Sequence, residues 1–309
     1  GDGGRSVVKE NMSAAVDRTA FSGEYPFAPH YFHSTSGRIH YIDEGPTDAP
    51  VLLMLHGNPT WSFYYRNLIQ GLSRTYRVIA PDHLGCGLSD KPQRAQYTLR
   101  GHIDRLTGLV EHLGLTDITL VVHDWGGAIG MGFAVEHPER IGRFVLFNTA
   151  AFPSKHMPWQ IGLCRIPGFG ALAIRGFNAF VRGALATCAV HADRLTPAVR
   201  AGYLAPYDSW ANRVANLRFV EDIPMSPQHP GYRLLQTIGE DLTRFVQHPV
   251  LIVWGARDYV FNDHFFNEWR RRLPSAETHY IPDAGHFVVE DAHERILPLV
   301  ERFMTEASA

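Results

Sequence analysis

Six short apolar runs, separated by segments of helical spacing, constrain this chain more than any other feature. The runs are VLLMLHG (51–57), YRVIAPD (76–82), ITLVVHD (118–124), RFVLFNT (143–149), PVLIVWG (249–255) and ETHYIPD (277–283). Most are apolar at nearly every position rather than at every second one. That pattern belongs to strands with both faces covered, as in a parallel sheet under helices. Between them, YTLRGHIDRLTGLVEHLG (97–114) and GGAIGMGFAVEHPER (126–140) have helical spacing, the first stopping at a glycine. ERILPLVERFMTEA (294–307) reads as a closing helix. Strand alternating with helix predicts a doubly wound, mostly parallel α/β sheet.

The alternation breaks between about 150 and 240. That stretch holds eight prolines and many aromatics, and no run in it reads as a strand. The spacing predicts a helical cap inserted after the strand at 143–149. The expected division is a flexible N-terminal lead over 1–24, an α/β core over 25–149 and 240–309, and a cap over 150–239. With 45% apolar residues in 309, the chain can bury a substantial core.

Composition excludes several roles. The formal net charge of −2 predicts no general attraction to nucleic acid or to an anionic membrane. The densest basic cluster, WRRRL (269–273), reads as the C-terminal end of a helix. Cys86, Cys164 and Cys188 are an odd number and far apart, which fits a reducing compartment and predicts a cytoplasmic protein. No apolar run reaches the ~18 to 20 residues that span a bilayer, so no stable membrane anchor is expected. The first twenty residues lack the basic-then-apolar order of a signal peptide, and the sequon at Asn11 is read as incidental.

Ligands of an open α/β sheet bind outside the carboxyl ends of its strands. Three titratable residues are expected there: Asp124 after the strand at 118–124, Asp258 after that at 249–255, and His286 past the last strand. The order nucleophile, acid, histidine is that of an α/β-hydrolase triad. Gly126 and Gly127 permit a tight turn into a helix whose N-terminus favours an anion. Asp124 should then stay ionised and attack without a general base. His286 is left to activate water against the resulting ester, with Asp258 orienting it. Asn58, in MLHGNPTWS, and Trp125 offer backbone N–H groups as oxyanion donors, and uncharged side-chain donors for a weakly basic leaving anion. The chemistry calls for no cofactor and no metal.

HGNPTWSFYYRNL, PDHLGCGLSDKP, VVHDWGG, WGARD and DAGHF resemble the haloalkane dehalogenase family of α/β-hydrolases, over about residues 25–305. The resemblance implies an in-line displacement of halide by Asp124, halide held by Trp125 and Asn58, and hydrolysis of the alkyl ester by His286-activated water. Some branches place the acid, as Glu, after the strand that here ends in Phe147-Asn148; this chain has Asn148, which leaves the role to Asp258. NTAAFPSKHMPWQI, RGFNAF, APYDSWANR and FVEDIP are similar to a third subfamily that includes β-lactone decarboxylases of olefin synthesis. There the same aspartate opens a four-membered lactone, and loss of carbon dioxide leaves a cis-alkene.

Two alternatives stay open. Epoxide hydrolases share the elbow and protonate the epoxide with two cap tyrosines, for which Tyr203 and Tyr207 are candidates. A non-catalytic ligand-binding relative would need a broken triad. Trp159, Phe177, Phe180, Tyr203, Tyr207 and Trp210 are the expected pocket walls, around a small apolar substrate. A homo-oligomer or association with pathway enzymes is compatible with the sequence.

Overall fold

The computed structural model describes residues 15–307. One eight-stranded sheet runs through it: β1 (His30–Ser34), β2 (Gly37–Glu44), β3 (Val51–Leu55), β4 (Arg77–Pro81), β5 (Ile118–Asp124), β6 (Ile141–Thr149), β7 (Val250–Gly255) and β8 (Glu277–Ile281). Its order is β1-β2-β4-β3-β5-β6-β7-β8. The pairs from β4 onward are parallel, and β2 runs antiparallel to both its neighbours. The α/β-hydrolase fold expected from the sequence is therefore the fold observed.

All six apolar runs form strands, and β3, β5 and β7 are buried at every position. β1 and β2 are additional. β1 is an edge strand of alternating partial and full exposure, and only four of the eight residues of β2 are buried. Neither offers the continuous apolar run that marks a strand covered on both faces.

The described residues form ten α-helices: α1 (Arg66–Leu72), α2 (Leu99–Leu113), α3 (Trp125–Glu136), α4 (Trp159–Cys164), α5 (Ala179–Thr187), α6 (Pro197–Leu204), α7 (Val214–Glu221), α8 (Tyr232–Asp241), α9 (Asp263–Arg272) and α10 (Val288–Ala307). The Thr98 side chain caps α2 by accepting the Gly101 N–H, and Gly114 ends it in a left-handed conformation at φ 63°. WRRRL does end a helix, α9, where Glu268 pairs with Arg271 and Arg272. Between β6 and β7 lie α4 to α8 and no strand.

Residues 15–24 depart from the expected flexible lead. Thr19–Phe21 forms a 3₁₀ turn, and Phe21 packs edge-on against Trp61 and Phe63, because its ring gains more from burial there than from solvent. Residues 1–14, with the sequon at Asn11, lie outside the described residues.

The sheet separates two apolar layers. One, under α2, α3, α8 and α9, contains Leu53, Leu120, Ile252 and Trp269. The other, under α1, α6 and α10, contains Leu52, Val121, Val253 and Ile296. Neighbouring residues of one strand thus enter opposite layers, as the pleat requires.

Candidate active site

β5 runs directly into α3, and Asp124 stands at the corner with φ 53° and ψ −129°. A non-glycine residue holds such a conformation only when its surroundings enforce it, at a cost of about 1–3 kcal/mol. The turn lifts the carboxylate out of the sheet toward the β3–α1 loop. Room for it comes from Gly57, where a Cβ would stand 2.2 Å from the Asp124 Cβ. The Thr149 hydroxyl, at the end of β6, fixes the corner from below by donating to the Asp124 carbonyl at 2.5 Å.

The two carboxylate oxygens have different neighbours. Oδ2 accepts the backbone N–H of Asn58 at 2.8 Å and that of Trp125 at 2.7 Å. Oδ1 faces His286 Nε2 at 3.1 Å. His286 Nδ1 lies 2.7 Å from Asp258 Oδ2. Asp258 Oδ2 also accepts from the Asn148 amide at 3.0 Å, and its Oδ1 accepts the Val260 N–H at 2.7 Å. Five strand ends thus meet: Asn58 after β3, Asp124 after β5, Asn148 in β6, Asp258 after β7 and His286 after β8.

Electrostatics hold this set as a charged relay. Burial pushes the Asp124 carboxyl up, but the hydrogen bond and charge of His286, with the Asn58 N–H, outweigh it and leave it below its ordinary value. Burial likewise opposes a charged His286, yet Asp258 and Asp124 together raise the imidazole well above its ordinary value. A second buried histidine, His123, does the reverse. Burial, and then the charge of His286, push it down to about 3. Kept neutral, its Nε2 lies 2.8 Å from the His286 carbonyl, so it supports the loop and not the proton transfer.

Oδ1 faces the imidazole, and Oδ2 takes both backbone N–H groups. Oδ2 already occupies the position that an ester carbonyl, and later an oxyanion, would take between two N–H donors. The Asn58 amide donates one hydrogen to the Asn216 carbonyl at 3.1 Å. Asn58, Asp124 and Trp125 line one wall of a cavity that opens to solvent. The rest of its wall is almost wholly apolar, including Phe152, Ile161, Val220, Leu235, Phe261 and Phe265.

Of the six expected pocket walls, only Phe180 lines this cavity. Trp159, Phe177 and Trp210 are 71%, 70% and 49% exposed and point into solvent. Tyr203 and Tyr207 are buried elsewhere. The Tyr203 hydroxyl donates to Glu290, and that of Tyr207 to the Thr60 carbonyl at 2.8 Å. Both are satisfied as structural groups, so no tyrosine pair faces the cavity to protonate an epoxide. The Ser62 hydroxyl is hydrogen-bonded to that of Tyr25, and the Ser89 hydroxyl donates to the Asp82 carbonyl. Cys86 and Cys188 are buried, and burial raises their thiols to about 12 and about 11.

The residues that sequence reasoning missed follow from the same geometry. Asn148 was read only as a vacated acid position, and it holds Asp258. Phe152 lines the cavity from just after β6, Ile161 from α4, Val220 from α7 and Ile223 from just beyond it, and one-dimensional spacing there does not show which face turns inward.

A family model described as the alpha/beta hydrolase fold matches residues 50–292. A cis-3-alkyl-4-alkyloxetan-2-one decarboxylase from Shewanella oneidensis is 45% identical, over 91% of this chain and 89% of its own. A haloalkane dehalogenase from Mycolicibacterium paratuberculosis is 36% identical, over 87% of this chain and 89% of its own. Among solved structures, a tetrameric haloalkane dehalogenase from Paraglaciecola agarilytica superposes with a TM-score of 0.77 at 26% identity, over 93% of this chain and 96% of that one. With these matches the chain belongs to the α/β-hydrolase family, among its haloalkane dehalogenase-like hydrolases.

Proposed function

We propose that this chain opens cis-3,4-dialkyl β-lactones on Asp124 and releases carbon dioxide and a cis-alkene. The observation that carries this reading is the 45% identity to a decarboxylase of such lactones, against 36% to the dehalogenase over a similar span. The apolar cavity, the ionised nucleophile and the uncharged donors beside it support the same step. In this reading residues 150–239 form the cap that shapes the cavity, and the unpaired thiols of Cys86, Cys164 and Cys188 suit the cytoplasm.

The bonds balance without water. Asp124 Oδ1 attacks ring carbon C4 from the face opposite the ring oxygen. The C4–O(Asp) bond forms, the ring C4–O bond breaks, and its electron pair leaves as part of a carboxylate. The Asn58 amide and the Trp125 indole N–H receive that anion. The bond from C3 to the carboxyl carbon then breaks, and its pair becomes the C3=C4 double bond. Carbon dioxide departs, and the C4–O pair returns to Asp124. Attack inverts C4, and departure of the two groups from opposite faces gives a cis-alkene from a cis-lactone. His286 preserves the charge of Asp124 between turnovers.

The same donors would hold a halide; with a haloalkane the ester removes the charge of Asp124, His286 then releases its proton to solvent, and the neutral imidazole would act as base toward water. An equimolar mixture of 1-bromohexane and a cis-dialkyl β-lactone separates the readings by gas chromatography. Alkene in large excess is expected. Hexanol and bromide without alkene would overturn the lactone reading.

A further inference from the structure

Three of the aromatic residues expected in the pocket, Trp159, Phe177 and Trp210, belong to a surface that the catalytic scheme does not use. Trp159, Leu163, Ile166, Phe169, Leu172 and Phe177 are exposed by 40% to 71% and recur every three to five residues along α4, the turn through Pro167 and Gly168, and the π-helical turn Ala171–Gly176. They are six of the ten large apolar side chains exposed among the described residues. Trp210 joins them, with the Arg175 guanidinium 4.9 Å over its ring. A patch of this kind marks an interaction site, whereas single exposed apolar residues do not.

Charge identifies the partner. Between residues 151 and 192 the chain carries Lys155, Arg165, Arg175 and Arg182 and no aspartate or glutamate. Arg165 donates to the carbonyls of Val220 and Ile223, and Arg175 to that of Trp210 and to the Gln93 side chain. These oxygens are neutral, so the bonds position both cations without cancelling their charge. Glu221 and Asp222, on and beside α7, act through space on Arg165, Glu221 also on Arg175, and Asp208 stands two residues before Trp210. Glu221 pairs with Arg218, and Asp222 accepts the Leu99 N–H at 2.8 Å. The chain's net charge of −2 hides this local excess. The patch also adjoins the cavity, since Met157, Pro158 and Ile161 line it and Trp159 follows directly.

We propose that this face docks reversibly on an anionic lipid bilayer. Exposed Trp, Phe and Leu enter the interface while Lys and Arg meet the headgroups. A second copy of the chain fits less well, because a two-fold contact would press two faces of the same positive sign together. No helix among the described residues is long and apolar enough to cross a membrane, so the attachment is peripheral. The docking rests on the surface alone; its use, delivery of a two-chain lactone from the bilayer to the cavity, rests on the lactone reading above.

Flotation of the purified full chain with vesicles, without substrate, tests the docking separately from the chemistry. Phosphatidylglycerol vesicles should carry the protein up the gradient, and phosphatidylcholine vesicles should do so at least about tenfold less well. Phe169→Ser/Leu172→Ser and Lys155→Gln/Arg182→Gln should each weaken the partition about tenfold. Both should leave turnover of a short, water-soluble lactone unchanged. Failure to float with either vesicle would overturn the proposal. So would a multimer in light scattering that dissociates in Phe169→Ser/Leu172→Ser and never floats, since the patch would then belong to a second copy.

Discussion

Asp124 is the proposed nucleophile and a strained corner, and the same backbone turn underlies both. The φ of 53° that lifts the carboxylate also delivers one oxygen to two N–H donors and the other to His286. The charge of each partner depends on the other. His286 holds its proton well above the ordinary value only while its carboxylate neighbours are ionised. A histidine NMR titration should therefore give a midpoint above ~6.5, and Asp124→Asn should lower it by about one unit or more. An unmoved midpoint would mean that the two side chains are not coupled. The sign for stability follows. The raised value means that the protonated imidazole favours the fold, a contribution complete below the ordinary histidine value and given up as pH rises through the native one. For covalent chemistry, intact mass of His286→Gln after exposure to 1-bromohexane should show one added hexyl group, because water is no longer activated. An unmodified mass would exclude alkylation of Asp124 by that substrate.

At the scale of elements, β3 and β5 place the donors and the nucleophile, and the gap between them is set by a hydrogen atom. Gly57→Ala puts a methyl group 2.2 Å from the Asp124 Cβ and 2.3 Å from its Oδ2. Either the loop after β3 or the elbow must retreat. Turnover should fall by about a hundredfold or more, since a misplacement near 1 Å costs that much. Steady-state kinetics checks this, with circular dichroism to show that the fold persists. The central strands were legible because burial on both faces forces continuous apolar runs. Asp124, Asp258 and His286 were legible because titratable residues at several strand ends can only converge. β1 and β2 were not legible, since an edge strand and its half-covered neighbour need no such run. Trp159, Phe177 and Trp210 were misread for a related reason. An aromatic residue says that a surface is apolar, and it does not say which side of a short helix faces the cavity.

In the whole molecule, a buried charge network ties the helical excursion to the sheet. Arg66, the first residue of α1, pairs with Glu290 of α10, and the Tyr203 hydroxyl of α6 donates to the same carboxylate. Arg66 and Glu290 are each only 2% exposed. Glu290→Ala would leave the guanidinium buried with the partly exposed Glu24 as its remaining ion-pair partner. The loss should be about 3–5 kcal/mol, read from urea unfolding, because an uncompensated buried charge costs that much. A loss below about 1 kcal/mol would show that water or Glu24 replaces the pair. Nothing in the spacing of Arg66, Tyr203 and Glu290 announces the network, since they are far apart in sequence and meet only when α1, α6 and α10 pack on one face.

Asn148 and Asp258 touch across the ends of β6 and β7, 3.0 Å apart, beneath one imidazole. Two neighbouring positions therefore share a single negative charge. A lineage could exchange the neutral and the acidic side chain between them without moving the histidine or altering the charge of the site. The supporting acid is in that sense a property of the adjoining strand ends, and a descendant with the pair reversed would keep the same catalytic geometry under a different sequence signature.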